Sequence, residues 1–405
     1  MKVFGSSGAR GVAITDLTPE FVLRVAKAAG TVWGTDRAAV ATDTRETGQL
    51  FADATAAGLA SVGLDVDRLG PTPTPAVSHY CETAGVPGVL LTASHNPPEY
   101  NGIKLIGSDG VELSVDSLER IEKHVLTEEF DEATWETVGK TTTVETATRE
   151  YVDDLLASVD RETIADAELT VALDPAHGVG TFASPEFYRR LGCRVITVNA
   201  QPDGHFPGRL PEPVEGNLGD LAQLVRASEA DIGIAHDGDA DRSVFVDETG
   251  EFINGDASLA ALAEAELSAG DSTVAAVNVS QRLVDVCDRV GADLELTPIG
   301  ATHIITRIKE LWADGRSVPV AGEGNGGIFF PNHRLVRDGP YIGAKFLELL
   351  ADSSARQVVE PYQDYHNKRI NLTYESEAEL QSMLAAATEF ADTAGDAEVS
   401  TIDGH

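Results

Sequence analysis

Val86-Pro87-Gly88-Val89-Leu90-Leu91-Thr92-Ala93-Ser94-His95-Asn96-Pro97-Pro98 joins an apolar run to a polar loop. The apolar run predicts a buried strand, and the loop sets Ser94 at its end, on backbone stiffened by two prolines. Ser, Asn and Pro also build ordinary turns. The stretch therefore has two readings, a plain turn or a loop presenting a nucleophilic serine. His95 is a poor base for Ser94, because neighbouring side chains point apart; support of the Asn-Pro geometry is its simpler role.

Outward from this loop, strands alternate with helices. Upstream, residues 38–42 read as a strand ending at Asp43-Thr44-Arg45, followed by a helix over 48–62. Before them, Gly5-Ser6-Ser7-Gly8-Ala9-Arg10-Gly11 is a glycine-rich loop with one cation, Arg10, able to lay N–H groups against a phosphate. A flexible N-terminus explains it equally well. Downstream, Tyr100-Asn101-Gly102-Ile103-Lys104 reads as a turn and return strand that bring Lys104 near Ser94. Such alternation predicts a mostly parallel sheet. A polar, aperiodic stretch over 127–150 ends this unit. The pattern divides the chain into 1–145 with the serine loop, 146–252 with an aspartate loop, 253–357 with a glycine-rich loop, and a fourth segment, 358–405, with a strand near 369–372 and a helix over 377–391 but too few elements to close a domain.

Composition narrows the function classes. The 405 residues hold 30 Lys+Arg against 66 Asp+Glu, a net charge of −36 that argues against nucleic-acid binding. Acidic and apolar residues are interleaved throughout, which argues against a disordered acidic chain. The charge predicts a surface suited to a halophilic cytosol, where salt screens self-repulsion. Cys81, Cys193 and Cys287 lie far apart among apolar neighbours and read as buried hydrophobes. No signal peptide opens the chain and no apolar run reaches the ~18 residues of a membrane span, so a soluble, cytoplasmic protein without membrane partners is expected. Asn278-Val279-Ser280 and Asn371-Leu372-Thr373 match the glycosylation pattern by chance.

His236-Asp237-Gly238-Asp239-Ala240-Asp241-Arg242 carries the strongest chemical signal. Three carboxylates this close repel one another unless a hard cation sits between them. A solvated acidic turn fits poorly with flanking Ile234 and Val244. An EF-hand loop fails because Arg242 stands where the sharp turn needs Gly and both flanks read as strands. A phosphatase-like Asp-x-Asp site, with Asp237 as nucleophile, competes with Ser94. Two further loops end apolar runs, at Asp174-Pro175-Ala176-His177 and at Gly322-Glu323-Gly324-Asn325-Gly326-Gly327. In open α/β sheets ligands bind outside the carboxyl ends of strands. Glu323 and Asn325 between glycines can bracket vicinal sugar hydroxyls, though a flexible loop reads the same.

Together these motifs resemble the α-D-phosphohexomutase family, which includes phosphoglucomutase, phosphomannomutase and phosphoglucosamine mutase. The resemblance rests on 4–11, Asp43-Thr44-Arg45, 92–97, 101–104, 211–217, 237–242, 322–327 and Arg337-Asp338-Gly339. The serine and aspartate motifs in this order displace the phosphatase reading. The fold implied is three consecutive mixed-sheet α/β domains around a central cleft, plus a partial fourth α+β domain. The function implied is a phosphohexose mutase moving a phosphoryl group between C1 and C6 of a hexose phosphate. Phosphoserine at Ser94 and a hexose bisphosphate intermediate or activator carry the group. One Mg²⁺ would bind Ser94, Asp237, Asp239 and Asp241. The resemblance assigns Ser94, Lys104, Arg10 and His95 to catalysis, with Lys104 as a proton-transfer partner. It assigns Arg242, Gly322, Glu323, Gly324 and Asn325 to the substrate.

Glucosamine phosphate is favoured because Gly-Glu-Gly-Asn-Gly-Gly resembles archaeal phosphoglucosamine mutases. Phosphogluco- or phosphomannomutase activity, or an impaired sugar-phosphate binder, are the alternatives. Two departures stand out. The chain ends before the family's phosphate-clamp loop, and Ala301 follows Gly300 where some members have a histidine. A monomer or homodimer is expected.

Overall fold

The structure is a computed structural model and describes residues 4–5, 8–365, 374 and 376–393. The strand expected near 369–372 lies outside them. Helix 377–391 is present as Glu377–Thr393.

Three mixed sheets follow one another. The first contains β1 (Ala9–Val12), β2 (Arg37–Thr42), β3 (Asp65–Pro71), β4 (Gly88–Leu91), β5 (Tyr100–Ile106) and β6 (Thr141–Thr143), in the order β1-β5-β4-β2-β3-β6. The second holds β7 (Thr170–Asp174), β8 (Arg194–Thr197), β9 (Ile232–His236), β10 (Ser243–Val246) and β11 (Phe252–Ile253), in the order β11-β10-β9-β7-β8. The third holds β12 (Ser272–Ala276), β13 (Asp293–Thr297), β14 (Ala321–Gly322), β15 (Ile328–Phe330) and β16 (Arg334–Arg337), in the order β13-β12-β14-β15-β16. The first sheet is more mixed than its strand–helix alternation predicts. β2 pairs in parallel with β3 and β4, whereas β5 runs antiparallel to both β4 and β1.

A common plan emerges. In each sheet a parallel half, built through helical crossovers, gives way to an antiparallel return. The serine loop joins β4 to β5, the aspartate loop β9 to β10, and the glycine loop β14 to β15. All three therefore occupy the same topological position. A return to an adjacent strand demands a tight reversal, and each loop contains a left-handed residue: Ser94 (φ 51°), Ala240 (φ 58°) and Gly326 (φ 87°).

Local signals account for many of the helices. Thr18 Oγ1 accepts from Phe21 N at 3.2 Å, Pro19 sits in the first turn, and left-handed Gly34 ends helix Pro19–Trp33. Strand β3 and helix Thr74–Ala84 escape a reading by hydrophobic pattern. The strand Asp-Val-Asp-Arg-Leu-Gly-Pro breaks its apolar residues with two Asp and an Arg, and the helix buries Thr74, Ser78 and His79.

The first sheet has its own cores on its two faces. The largest core runs unbroken from the second sheet into the third. Helix Gly339–Glu348, from the third unit, packs beneath the second sheet, with Phe346 stacked on Phe245 at 4.1 Å between ring centroids. The three cysteines are buried and free. Among the described residues no helix is long and apolar enough to cross a membrane.

Candidate active site

Ser94 is fully buried in the junction of the first two units. Its Oγ donates to Asp237 Oδ2 at 2.7 Å, and its carbonyl lies so close to Gly238 that a side chain there would collide with it. The positive φ of Ser94 swings its side chain toward that of His95, leaving Oγ 3.4 Å from His95 Nδ1. The two do not point cleanly apart, as neighbours on an extended strand would. Arg242 also approaches that nitrogen, at 3.0 Å. Burial, then the charges of Arg242 and Arg10, push the His95 pKa down to about 3, so the imidazole is neutral at physiological pH.

Asp237, Asp239 and Asp241 are all buried, and one carboxylate oxygen from each lies within 4.8 Å of the others. Alternation with Gly238 and Ala240 turns the three inward. Several of their oxygens are already engaged. Asp239 Oδ2 accepts from Thr74 Oγ1 at 2.8 Å and from Lys104 Nζ at 2.8 Å. Asp241 Oδ2 accepts from Lys104 Nζ at 3.0 Å and from Arg337 at 2.6 Å. Asp239 Oδ1 and Asp241 Oδ1 are buried yet take no hydrogen bond among the described residues. Buried carboxylate oxygens without partners are costly. Burial and the charges of Asp241 and Asp239 push the Asp237 pKa upward. An all-oxygen set with orphaned, converging carboxylates fits a hard divalent cation.

Lys104, on β5, is fully enclosed. Burial disfavours its charge, but Asp239, Asp241 and Glu112 outweigh that and raise its pKa well above the ordinary lysine value. It is held as an ammonium ion. Arg10, on β1, donates to Asn96 Oδ1 at 3.0 Å; burial lowers its pKa, against the pull of Asp239. Arg242 Nε stands 3.7 Å from Asp237 and 3.8 Å from Asp241.

The glycine loop completes the group. Asn325 Nδ2 and Arg337 both approach Glu323 Oε2, at 3.3 and 3.5 Å, and Asn325 Oδ1 accepts from Gly327 N. Gly322 lies in β14, opposite Ile328, while Gly324 backs onto Asp256. A cleft of about 190 Å³ opens beside this loop, lined by Arg242, Glu215, Asn254, Gly324 and Asn325 among others.

Ser94, His95, Arg10, Lys104, the three aspartates and Arg242 thus come together across the first two units, and Arg337 links them to Glu323. Two contributors escaped the sequence reading. Thr74 follows the unread strand β3, where Thr-Pro-Thr-Pro marks only a turn and a helix start. Arg337 is legible only as part of Arg-Asp-Gly, without a role.

Comparison with known proteins identifies the family. Residues 1–132, 149–250 and 254–367 match, in order, the families described as phosphoglucomutase/phosphomannomutase, alpha/beta/alpha domains I, II and III. A phosphoglucomutase/phosphomannomutase of Thermococcus kodakarensis is 37% identical over all of this chain and 89% of its own length. A "probable phosphoglucosamine mutase" of Methanopyrus kandleri is 39% identical over 87% of this chain and 76% of its own length. Among solved structures, a phosphoglucomutase/phosphomannomutase family protein from Burkholderia thailandensis superposes with a TM-score of 0.82 at 27% identity, covering all of this chain and 87% of that one. The serine and aspartate loops, the order of the three domains and these extensive likenesses converge: the chain belongs to the phosphoglucomutase/phosphomannomutase family of α-D-phosphohexomutase enzymes.

Proposed function

We propose that the protein is a phosphohexose mutase that uses Ser94 as a phosphoryl carrier and moves a phosphoryl group between C1 and C6 of a hexose phosphate. The observation that carries this reading is the 2.7 Å contact of Ser94 Oγ with Asp237, inside a cluster whose other carboxylates keep unpartnered oxygens. Asp237, Asp239 and Asp241 would hold Mg²⁺ together with the Ser94 phosphate, and the ion would supply neutralising charge at the bridging oxygen.

In the first half-reaction the bond from phosphorus to Ser94 Oγ breaks and one to a sugar hydroxyl oxygen forms. The hydroxyl proton passes to solvent, and Ser94 takes up the electron pair of the broken bond. A loose transition state places little demand on a base, in keeping with a His95 made weakly basic by its lowered pKa and a Lys104 held as an ammonium ion. Lys104 and Arg10 supply fixed positive charge toward the moving group. The hexose bisphosphate then turns over in the cleft and returns its other phosphoryl group to Ser94. Glu323 and Asn325 suit both orientations, because a carboxylate and an amide can exchange hydroxyl partners.

Glucosamine phosphate is the favoured substrate, from the glycine-bracketed Glu323 and Asn325 and the name of the Methanopyrus relative. The Thermococcus relative favours glucose or mannose phosphate as a second reading. Turnover of the three sugar 1- and 6-phosphates with Mg²⁺ decides between them, and a clear mannose preference overturns the first. Native and Ser94→Ala chains compared in the same assay test the carrier; equal turnover by both would sink it.

A further inference from the structure

Resting on the reading of Ser94 as the phosphoryl carrier, we propose that Arg45 is the positioning residue that sets Ser94, and that residues 203–211 of the second domain lock Arg45 in place. Both backbone polar groups of Ser94 terminate in one buried ion pair. Ser94 N donates to Thr92 Oγ1 at 2.9 Å, and Thr92 Oγ1 donates to Asp43 Oδ2 at 2.7 Å. Arg45 Nε donates to the same oxygen at 3.0 Å, while its Nη2 donates to Ser94 O at 3.0 Å. The ring of contacts fixes the left-handed backbone of Ser94, a conformation that L-residues adopt at a cost.

The guanidinium reaches further round the loop. Nη2 also donates to Asn96 O at 2.6 Å, and Nη1 donates to Pro97 O and, at 3.0 Å, to Tyr100 O. One planar fork thus holds four carbonyls across the reversal between β4 and β5. Lysine, a single point donor, cannot reproduce this.

Contacts from the second domain lie across the fork. The Phe206 ring covers the guanidinium, 5.1 Å from its carbon. Gly204 lies so close to residues 44–46 that a methyl group there would sit 2.4 Å from Thr44 O. The same segment grips the aspartate loop. Arg209 donates to Asp174 Oδ2 at 2.8 Å and to His236 O at 2.7 Å, and Pro211 and Phe206 flank Gly238. Residues 203–211 therefore fasten the holder of Ser94 and the loop bearing Asp237 to one another. Positioning of this kind sets the distance between carrier and metal loop, on which transfer rate depends steeply.

The test combines kinetics with amide hydrogen exchange on the full chain. Arg45→Lys is expected to lower kcat about 100-fold while KM stays within about threefold. Amides of residues 92–102 should exchange about tenfold faster, with β2 and β9 unchanged. Phe206→Leu should give a smaller loss in the same direction, and Phe206→Trp, which keeps a ring over the guanidinium, should restore native rates. Native exchange of 92–102 in Arg45→Lys overturns the proposal. Faster exchange across the whole first domain also overturns it, since that marks a merely structural residue. Should Arg45→Lys fail to fold, the Phe206 pair decides by the same two readouts, and native kinetics and exchange in Phe206→Leu overturn it. A native chain that transfers no phosphoryl group refutes the mutase reading, whereas the exchange measurements still test Arg45.

Discussion

Gly238→Ala is the sharpest probe of the contact between the serine and aspartate loops. A Cβ at residue 238 would stand 2.6 Å from Ser94 O, against about 3.4 Å for ordinary van der Waals contact. One loop must retreat by about 0.8 Å, and Ser94 Oγ, now 2.7 Å from Asp237, moves with it. Misplacement on the order of 1 Å costs roughly 100-fold in a positioned reaction. Overpacking of this size costs about 1–3 kcal/mol of stability, so the variant should still fold. Steady-state kinetics with saturating Mg²⁺ should show kcat down about 100-fold, with KM moved far less. Thermal unfolding should show a drop of a few degrees. A variant with kcat within about threefold of native would refute the reasoning, since Ser94 would then tolerate displacement from the aspartate loop.

Three further outcomes follow. Lys104→Met leaves Asp239 and Asp241 short of their shared buried cation, and should cost about 3–5 kcal/mol in denaturant unfolding with a chelator present; a loss below about 1 kcal/mol would contradict the burial argument. His236 is buried with its folded pKa pushed down to about 4, chiefly by desolvation. Its contribution is fully present above about 6.5, the unfolded value, and is lost as pH falls toward 4, up to about 3 kcal/mol. Asp338, raised by burial to about 6, works oppositely, because the folded state takes up its proton first as pH falls. His236→Gln should therefore lose less stability than native between pH 6.5 and 4.5, and parallel pH profiles would contradict this. With a net charge of −36, Tm should rise between ~0.1 and ~1 M salt as the Debye length shrinks from ~10 to ~3 Å; a flat response would contradict a repulsion-limited surface.

The chemistry of the site was more legible than its scaffold. Asp237, Asp239 and Asp241 stand out because crowded carboxylates at a strand end have few cheap explanations. Ser94 gains meaning only beside them. The scaffold hides where polar residues are buried by tertiary context. Strand β3 lies between β2 and β6, so its Asp and Arg side chains obscure its pattern. Strands β15 and β16 are short and follow a loop dense in glycine, so nothing in their periodicity marks them. Arg337 and Thr74 are ordinary residues until the fold sets them against Asp241 and Asp239. The sequence suggested that His95 and Ser94 diverge, which holds for a regular strand but not after a left-handed residue.

The shared core of the second and third domains bears on the order in which a nascent chain matures. Synthesis runs from the N-terminus, so the first sheet can close over its own cores before the aspartates exist. Lys104 then lacks Asp239 and Asp241, and Ser94 Oγ lacks Asp237. The second sheet must wait longer still, because Phe346 supplies part of the packing under Phe245. Three aspartates thus gain a rigid support, and Lys104 the settled carboxylates of Asp239 and Asp241, only after the third domain has left the ribosome. An unfinished chain therefore lacks the assembled cluster of Ser94, Lys104 and the three aspartates.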